Sequence, residues 1–599
     1  MSKIIIFDYE CFAHESLLGT LIVNEDNTTE IRQIWNFTEQ QLFYHSHKND
    51  FWIGHNNKHF DNIILEAVVN GRTPEQVKEI SKSIVETGKK YRCNLPLRYY
   101  DLMANTYYSL KLTEAAEGKN ISETEVDFTL TRPLTKEERL LTEKYNRDDL
   151  EQTYTNLINP HVSGYLNCRL DILKEFSLPF SFLTATETQV AAKVFKAHKI
   201  EGIENQIIKP HMYENLQLKN QDLINFYMTE EFRKYHKHKI MLCGTEHIIG
   251  SGGIHAAIPK YSCKHALYCD VSGYYNLTML NYDLLPRTMN AESKEIYRDL
   301  YYKQLEYKKT APRKRWALKV VLLAVFGSMM NEYTDFYDPQ KGLLVTITGQ
   351  LFIVDLLEKL EDLVRVIQSN TDGIIIEPFN WDDKDKIIDI IQQWEKRTGY
   401  VIKKDEIFDI YQRDVNCYFY KDINGEIHCK GEAVKDYQKW NDIFASNIFE
   451  SKEPAIFSHC IVDFFLYHKT PEQVIEENKQ ELRMFQYLCK KKSFAWTEYV
   501  ETFKDGSTKT TKLQGINRAF AYNNPDVVGM IYKRRLEGKV LKAKIPNCPN
   551  NVFVYDGDIR DNTVKQLLIQ KIDYNYYIKR GYERIKEFIP VIGDIKIYE

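Results

Sequence analysis

Acidic residues fall along this 599-residue chain in two ordered sets, and the second is accompanied by a lysine and an aromatic residue. The first set begins with Asp8 and Glu10 on either side of Tyr9. It continues with Asp61, which closes GHNNKHFD (54–61), and with Tyr145 and Asp149 in KYNRDD. Four carboxylates can hold two divalent ions that activate a water and stabilise a departing 3′ oxygen, and Tyr145 can orient that water. The second set is Asp270 in YCDVSGYYN (268–276), Lys319 and Phe326 in KVVLLAVFG (319–327), and Asp372 in SNTDGIII (369–376). Two carboxylates on separate strands to hold Mg²⁺, with a lysine to meet phosphate, suit metal-assisted nucleotidyl transfer. Singly, each residue is weak evidence, because an acid at a strand end is usually a turn or a cap. The information lies in the order.

Such side chains need elements to hold them. KIIIFD (3–8) and FWIG (51–54) predict buried strands, and period 2 turns Asp8 and Glu10 to one face. Residues 134–158 carry a helical period that puts Tyr145 and Asp149 on one face, and RPLT (132–135) supplies a break and an N-cap. Residues 293–331 predict two antiparallel helices broken at Ala311-Pro312. On the second, Lys319, Leu323 and Phe326 share a face, and Gly327 permits close backbone approach. LFIVDLLEKLEDL (351–363) predicts an amphipathic helix, followed by strand, turn and strand over 364–378 with Asp372-Gly373 as the turn signal. Beyond about residue 440 the pattern predicts mainly helix.

Length alone predicts three to five packed units. With 43% hydrophobic and 27% charged residues, the composition is that of an ordinary globular protein. No apolar run approaches the roughly 18 residues of a membrane span, and MSKIIIFDYE predicts a strand rather than a signal peptide. Eleven scattered cysteines without a CxxC pair argue against a zinc or iron–sulfur module and for a reducing, cytoplasmic setting. The net charge of −4 is unusual for a nucleic-acid binder, but local patches count for more. Between 485 and 545 thirteen basic residues stand against five acidic ones, a surplus that on its own is more often a solvated face.

FDYEC, NKHFD and YNRDD resemble the three exonuclease motifs of family B DNA polymerases, in the DEDD class with the tyrosine variant. YYSLKLTEA (107–115) resembles that domain's segment for single-stranded primer, which implies DNA contacts at Ser109 and Leu110. Asn57 and Phe60 match positions that grip a frayed 3′ end, with Asn56 as an alternative to Asn57. DVSGYYN resembles motif A, usually DxxSLYP. The resemblance implies that Asp270 and the Val271 carbonyl are metal ligands, that Gly273 and Tyr274 lie at the nucleotide, and that Tyr275 excludes a 2′-hydroxyl. KVVLLAVFG matches motif B, KxxxNSxYG, in spacing. Lys319 would meet the triphosphate, Phe326 would lie against the nascent base pair, and Leu323 replaces the family asparagine. Among the basic residues on the neighbouring helix, Lys308 is a candidate phosphate contact. SNTDGI resembles motif C, YxDTDS, with Asp372 as the metal ligand and Asn370 in place of the first aspartate. NCYFYKDINGEIHCKGEAV (416–434) resembles the KxY region, which implies DNA contacts at Tyr418 and Lys430. Asn416 replaces the first lysine there, and Arg413 is a candidate substitute. GSGGIHAAIPK (250–260) resembles the YxGG segment, which places Gly252 and Gly253 at DNA.

The resemblance covers roughly residues 1–435. It implies an α/β multidomain protein, an RNase H-like exonuclease domain plus a right-hand polymerase of palm, fingers and thumb. The boundaries expected are 1–165 for the exonuclease, 166–265 for a connecting and N-terminal palm region, and 266–292 for palm with motif A. Fingers follow at 293–338, palm again at 339–440, and thumb and C-terminal region at 441–599. Implied with it are two Mg²⁺ (or Mn²⁺) ions per active site, dNTP substrates, primer-template DNA, a monomer, and a helicase, single-strand-binding protein or clamp as helpers. The motif variants look most like bacteriophage replicative polymerases, which would place the protein in host cytoplasm. The rival reading is an exonuclease whose polymerase half has decayed into a DNA-binding platform, motivated by Leu323, Asn370 and Asn416. A non-catalytic replication scaffold would leave both metal sets unexplained.

Overall fold

A computed structural model describes residues 3–106, 108–444, 453–491, 494–534, 543–544, 548–589, 591–592 and 595–596. Tyr107, with which the primer-segment resemblance begins, lies outside the described residues, as do Lys492, Arg535, Lys539 and Lys542 of the basic stretch. The chain is a mixed α/β, multidomain protein. No described helix is long and apolar enough to cross a membrane.

The N-terminal sheet is built from β1 (Ile4–Cys11), β2 (Ser16–Val23), β3 (Thr29–Ile34), β4 (Phe51–Gly54) and β5 (Arg98–Asp101), in the order β3-β2-β1-β4-β5. β1 to β3 form an antiparallel meander, while β4 and β5 run parallel to β1. β1 is buried on both faces, with Phe7 and Trp52 in one core and Ile6 and Ile53 in the other. Helix Lys136–Ile158 packs across β1 and β2. Its N-cap is Thr135, in a capping box with Glu138, so the break expected at RPLT is where the helix starts.

The central sheet has nine strands, every neighbouring pair antiparallel, in the order β14-β13-β12-β9-β11-β10-β8-β7-β6. In chain order these are β6 (Lys237–Leu242), β7 (Thr245–Gly250), β8 (Gly253–Ala257), β9 (Tyr261–Val271), β10 (Val364–Asn370), β11 (Gly373–Pro378), β12 (Ile402–Asp414), β13 (Cys417–Asp422) and β14 (Ile427–Lys430). The expected hairpin is β10–β11, but its loop is Thr371-Asp372 and the positive φ (63°) falls on Thr371. Gly373 already pairs within β11. The expected helical pair is Ala291–Thr310 and Pro312–Ser328, with Pro312 in the first turn, where its missing N–H costs nothing.

Two expectations are corrected. The helix predicted over 351–363 runs from Pro339 to Leu360 and is buried nearly all round, not amphipathic. Its polar side chains are enclosed with partners. Arg397 donates twice to Asp355 at 2.8 Å, and Gln350 brackets the N–H and C=O of Gly250. The region beyond 440 is not mainly helical. Between the helices Ile456–Tyr467, Pro471–Asn478, Asn562–Lys571 and Tyr574–Ile585 stand two sheets. One comprises Tyr487–Lys490, Ile516–Ala521 and Val552–Val554; the other comprises Thr508–Leu513, Trp496–Phe503, Val527–Arg534 and Ala543–Lys544. The β-branched, Thr- and Tyr-rich runs on either side of Asp505-Gly506 form a hairpin, with φ +83° at Gly506.

Candidate active sites

The first set of acids converges on β1. Asp8 and Glu10 project from it together, and the Tyr9 N–H between them donates to Asp61 Oδ1 at 2.9 Å. Asp61 opens helix Asp61–Val69 beside the strand. From helix Lys136–Ile158 come Asp149 and Asn146, whose Nδ2 donates to Asp8 Oδ2 at 3.0 Å. Carboxylate oxygens of Asp8, Glu10 and Asp149 lie within 4.8 Å of one another. Tyr145, one turn before Asp149 on the same helix, faces the same charges of Asp149, Glu10 and Asp8.

The Lys111 ammonium opposes these charges. Lys111 reaches Asp149 Oδ1 at 3.4 Å and Glu114 at 3.0 Å, and sits 4.5 Å from the Tyr145 ring centroid. Burial holds the Asp8 carboxyl well above its usual range, and the charges of Asp61, Glu10 and Asp149 add to it. Glu10 is raised by burial and then by Asp149 and Asp61. Burial also raises Asp149 despite Lys111, and pushes Asp61 up to about 7. Mutually repelling, desolvated oxygens at this spacing fit a divalent cation. Lys111 and Asn146 were not singled out from the sequence, although both lie inside the quoted motifs.

The expected strand contacts divide. Phe60 lines a cavity of about 510 Å³ together with Tyr9 and Glu10, so it shares that opening with one carboxylate of the set. Asn57 does not face outward. It is 0% exposed, gives its amide to Asn62 Oδ1 at 3.2 Å, and packs where a side chain on Gly54 would otherwise sit. Asn56, half-buried with φ +65°, is the asparagine of the pair with access to solvent. Ser109 is exposed and Leu110 half-buried at the start of helix Leu110–Glu117, which carries Lys111.

The second set meets at the centre of the nine-stranded sheet. Asp270 on β9 pairs in register with Gly373 on β11, and the Val271 N–H donates to the Asp372 carbonyl at 2.9 Å. The two aspartates are therefore held by adjoining strand ends. Burial raises the Asp270 carboxyl, Asp372 raises it further, and Lys403 and Lys319 oppose the shift. Asp372 is raised by burial, with Lys430 opposing. Lys403, opposite Asp270 on β12, escaped sequence reasoning because its cross-strand position depends on register. On helix Pro312–Ser328, Leu318, Val321, Leu322 and Val325 are buried, which leaves Lys319 and Leu323 exposed and Phe326 half-buried on the open side. Lys308 is exposed in the last turn of the preceding helix, nearer the hairpin turn.

Adjacent residues in DVSGYYN part company. Gly273 (φ +66°) caps helix Tyr274–Asn281, and a Cβ there would come within 2.9 Å of the Tyr301 hydroxyl. Tyr275 stacks on Phe326. Tyr274 turns into the core, 3% exposed, against Gly349, where a Cβ would lie 2.1 Å from its hydroxyl oxygen. The Tyr274 side chain is thus enclosed by protein, while its backbone opens helix Tyr274–Asn281. Gly253 (φ +141°) lets β8 approach the β10–β11 turn, because a Cβ there would fall 2.6 Å from Thr371 Oγ1, while Gly252 is exposed. Tyr418 and Lys430 are cross-strand partners, with the ammonium 5.7 Å from the ring centroid. Asn370 stands opposite His255 in register across β10 and β8. Arg413 is held by Asp414, Glu587 and Glu432, so the substitute role expected of it meets three carboxylate partners.

No family model matches the chain, and no curated protein matches it. Among solved structures the chain is similar to the family B DNA polymerase from the hyperthermophilic archaeon Pyrobaculum calidifontis. The likeness covers 99% of this chain and 79% of that one, at 14% sequence identity and a TM-score of 0.47.

Proposed function

We propose that the protein is a DNA-directed DNA polymerase with a 3′→5′ exonuclease, the two activities residing in separate centres. The observation that carries this reading is the tertiary convergence of Asp270 and Asp372 beside the open Lys319–Phe326 helix face, apart from a second nest of acids at β1, where Asp8, Glu10 and Asp149 cluster and Asp61 accepts from the Tyr9 N–H. Divalent ions bound by the carboxylates would supply Lewis-acid charge stabilisation in each centre. In the first, Asp8, Glu10, Asp61 and Asp149 would hold them, Tyr145 would orient a water, and Phe60, Asn56, Ser109 and Leu110 would receive a single-stranded 3′ end. In the second, Asp270 and Asp372 would be the ligands, with the Val271 carbonyl nearby. Lys319 would meet the triphosphate, with Lys308 more distant. The Tyr275–Phe326 stack would form a wall for sugar and base. Gly252, Gly253, Tyr418 and Lys430 would lie along the duplex.

The strand order of the first sheet supports an RNase H-like exonuclease over 1–165. The nine-stranded sheet supports a palm and the 291–328 hairpin fingers, and residues 441–599 would be the thumb and C-terminal region. The bacteriophage replicative type rests on the motif variants alone. A decayed polymerase half is the second reading, favoured by Asn370, which stands opposite His255 where the family has a carboxylate.

Primer extension with dNTPs and Mg²⁺ or Mn²⁺ separates the two. Template-dependent extension is expected, lost by on the order of 10³-fold in Asp372→Ala and retained in Asp8→Ala with Glu10→Ala, which should lose 3′-end degradation instead. Near wild-type extension by Asp372→Ala would overturn the assignment.

A further inference from the structure

A cavity bordered by the N-terminal sheet and the turn at 180–184 shares no lining residue with either centre. It measures about 500 Å³, within the range of roughly 300–1,000 Å³ typical of ligand sites, and lies between the loop after β4, the segment leading into β5, and the turn at 180–184. Three of its lining residues are cations, Lys58, Arg92 and Arg98, all exposed, and no carboxylate lines it. In a chain of net charge −4 such a lining is not the default. None of the three cations forms an ion pair within the described residues. Tyr91 and Tyr99 add half-buried ring faces between them, and the Arg98 guanidinium lies 5.0 Å from the ring centroid of Phe180.

Uncompensated cations interleaved with aromatic rings are the chemistry of single-strand nucleic-acid recognition: the cations take phosphates and the rings take base faces. The cavity is also linked by sequence to the first centre. Lys58 sits on the short loop whose Phe60 lines the other cavity, the one that opens on Glu10.

We infer that this cavity binds a single-stranded stretch of DNA outside both catalytic centres, with phosphates on Lys58, Arg92 and Arg98 and a base on Tyr91 or Tyr99. The choice of DNA among polyanions rests on the function proposed above.

The test is photo-crosslinking of a 12-nucleotide oligo(dT) carrying 5-iodouracil to the full chain in EDTA, with peptide mapping, alongside fluorescence anisotropy of the same strand. Crosslinks at Tyr91 or Tyr99 are expected. In Arg92→Glu with Arg98→Glu, folded by its thermal melt, affinity should fall at least fivefold and the log–log salt slope should flatten by about 1.4, for two phosphates on a single strand. Tyr91→Ala should weaken binding with the salt slope unchanged. Wild-type crosslinks confined to other segments, or unchanged affinity and slope in the double variant, would overturn the inference. So would displacement of the strand by dTMP alone, which would mark a mononucleotide site. Wild-type primer extension, run in parallel, reports on the polymerase reading independently. Extension without the crosslink defeats only this inference, and the crosslink without extension defeats only that reading.

Discussion

Tyr275 and Phe326 stack face to face, with ring centroids 3.8 Å apart and planes 14° from parallel. One ring comes from the first turn after the Asp270 strand, the other from the helix that carries Lys319. The contact joins two separate sequence motifs into a single aromatic wall beside the paired aspartates.

If that wall limits the space beside the sugar, its removal should relax selectivity before it affects affinity. Tyr275→Ala is expected to raise ribonucleotide incorporation by on the order of tenfold, the discrimination a steric contact typically supplies, with little change in KM for dNTPs. Single-nucleotide incorporation kinetics with paired dNTP and rNTP substrates check it. Unchanged discrimination would place the gate elsewhere.

Lys111 is the ammonium that faces the acid nest, holding Asp149 and lying over the Tyr145 ring. Lys111→Met should reduce degradation of a single-stranded 3′ end by about 10–100-fold, the usual loss when a residue that orients a metal ligand is removed. Primer extension should be unaffected, because the second centre shares none of these contacts. A parallel loss of both activities would mean that the substitution acts through folding.

The acid nest should make the metal-free protein sensitive to pH. Asp61 is raised from 3.8 to about 7, so between those values the folded state binds the proton and the unfolded state does not. Stability must therefore fall as pH rises through this window, by at most about 4 kcal/mol from this one group. In EDTA, Tm is expected to drop between pH 5 and pH 7.5. Mg²⁺ or Mn²⁺ should recover it more at pH 7.5 than at pH 5, because ions bind the deprotonated acids. A Tm that rises with pH in EDTA would contradict this account.

Arg518 ties the C-terminal region to the N-terminal unit. It is 0% exposed and donates to the carbonyls of Ala115 and Lys119 at the end of helix Leu110–Glu117, to Gly557, and to Gln486. Arg518→Met leaves several buried carbonyls unsatisfied, at about 1–3 kcal/mol each. Thermal unfolding should show a clear drop in Tm. Because that helix carries Lys111, 3′-end degradation at a temperature where the variant is folded should fall more than primer extension does. Equal losses would show that the bridge serves stability alone.

Much of this molecule was legible in short-range pattern. Alternation on β1 put Asp8 and Glu10 together, Thr135 and Pro312 marked helix starts, and the 319–326 period put Lys319 and Phe326 on one face. Each depends on a backbone repeat of a few residues, which local sequence specifies by itself. Tertiary structure decided the rest. Tyr274 and Tyr275 are the same residue type side by side, and only Gly349, on a helix far along the chain, makes the hole that takes Tyr274 inward. Asn57 and Asn56 divide in the same way, because Gly54 and Asn62 enclose one of them. Arg413, Asn146 and Lys403 owe their surroundings to partners supplied by other elements, and the helix Pro339–Leu360 looks amphipathic until Arg397 and Gly250 arrive to satisfy Asp355 and Gln350. Burial and hydrogen-bond satisfaction are properties of the assembled surfaces, and no window of local sequence contains both sides of such a contact.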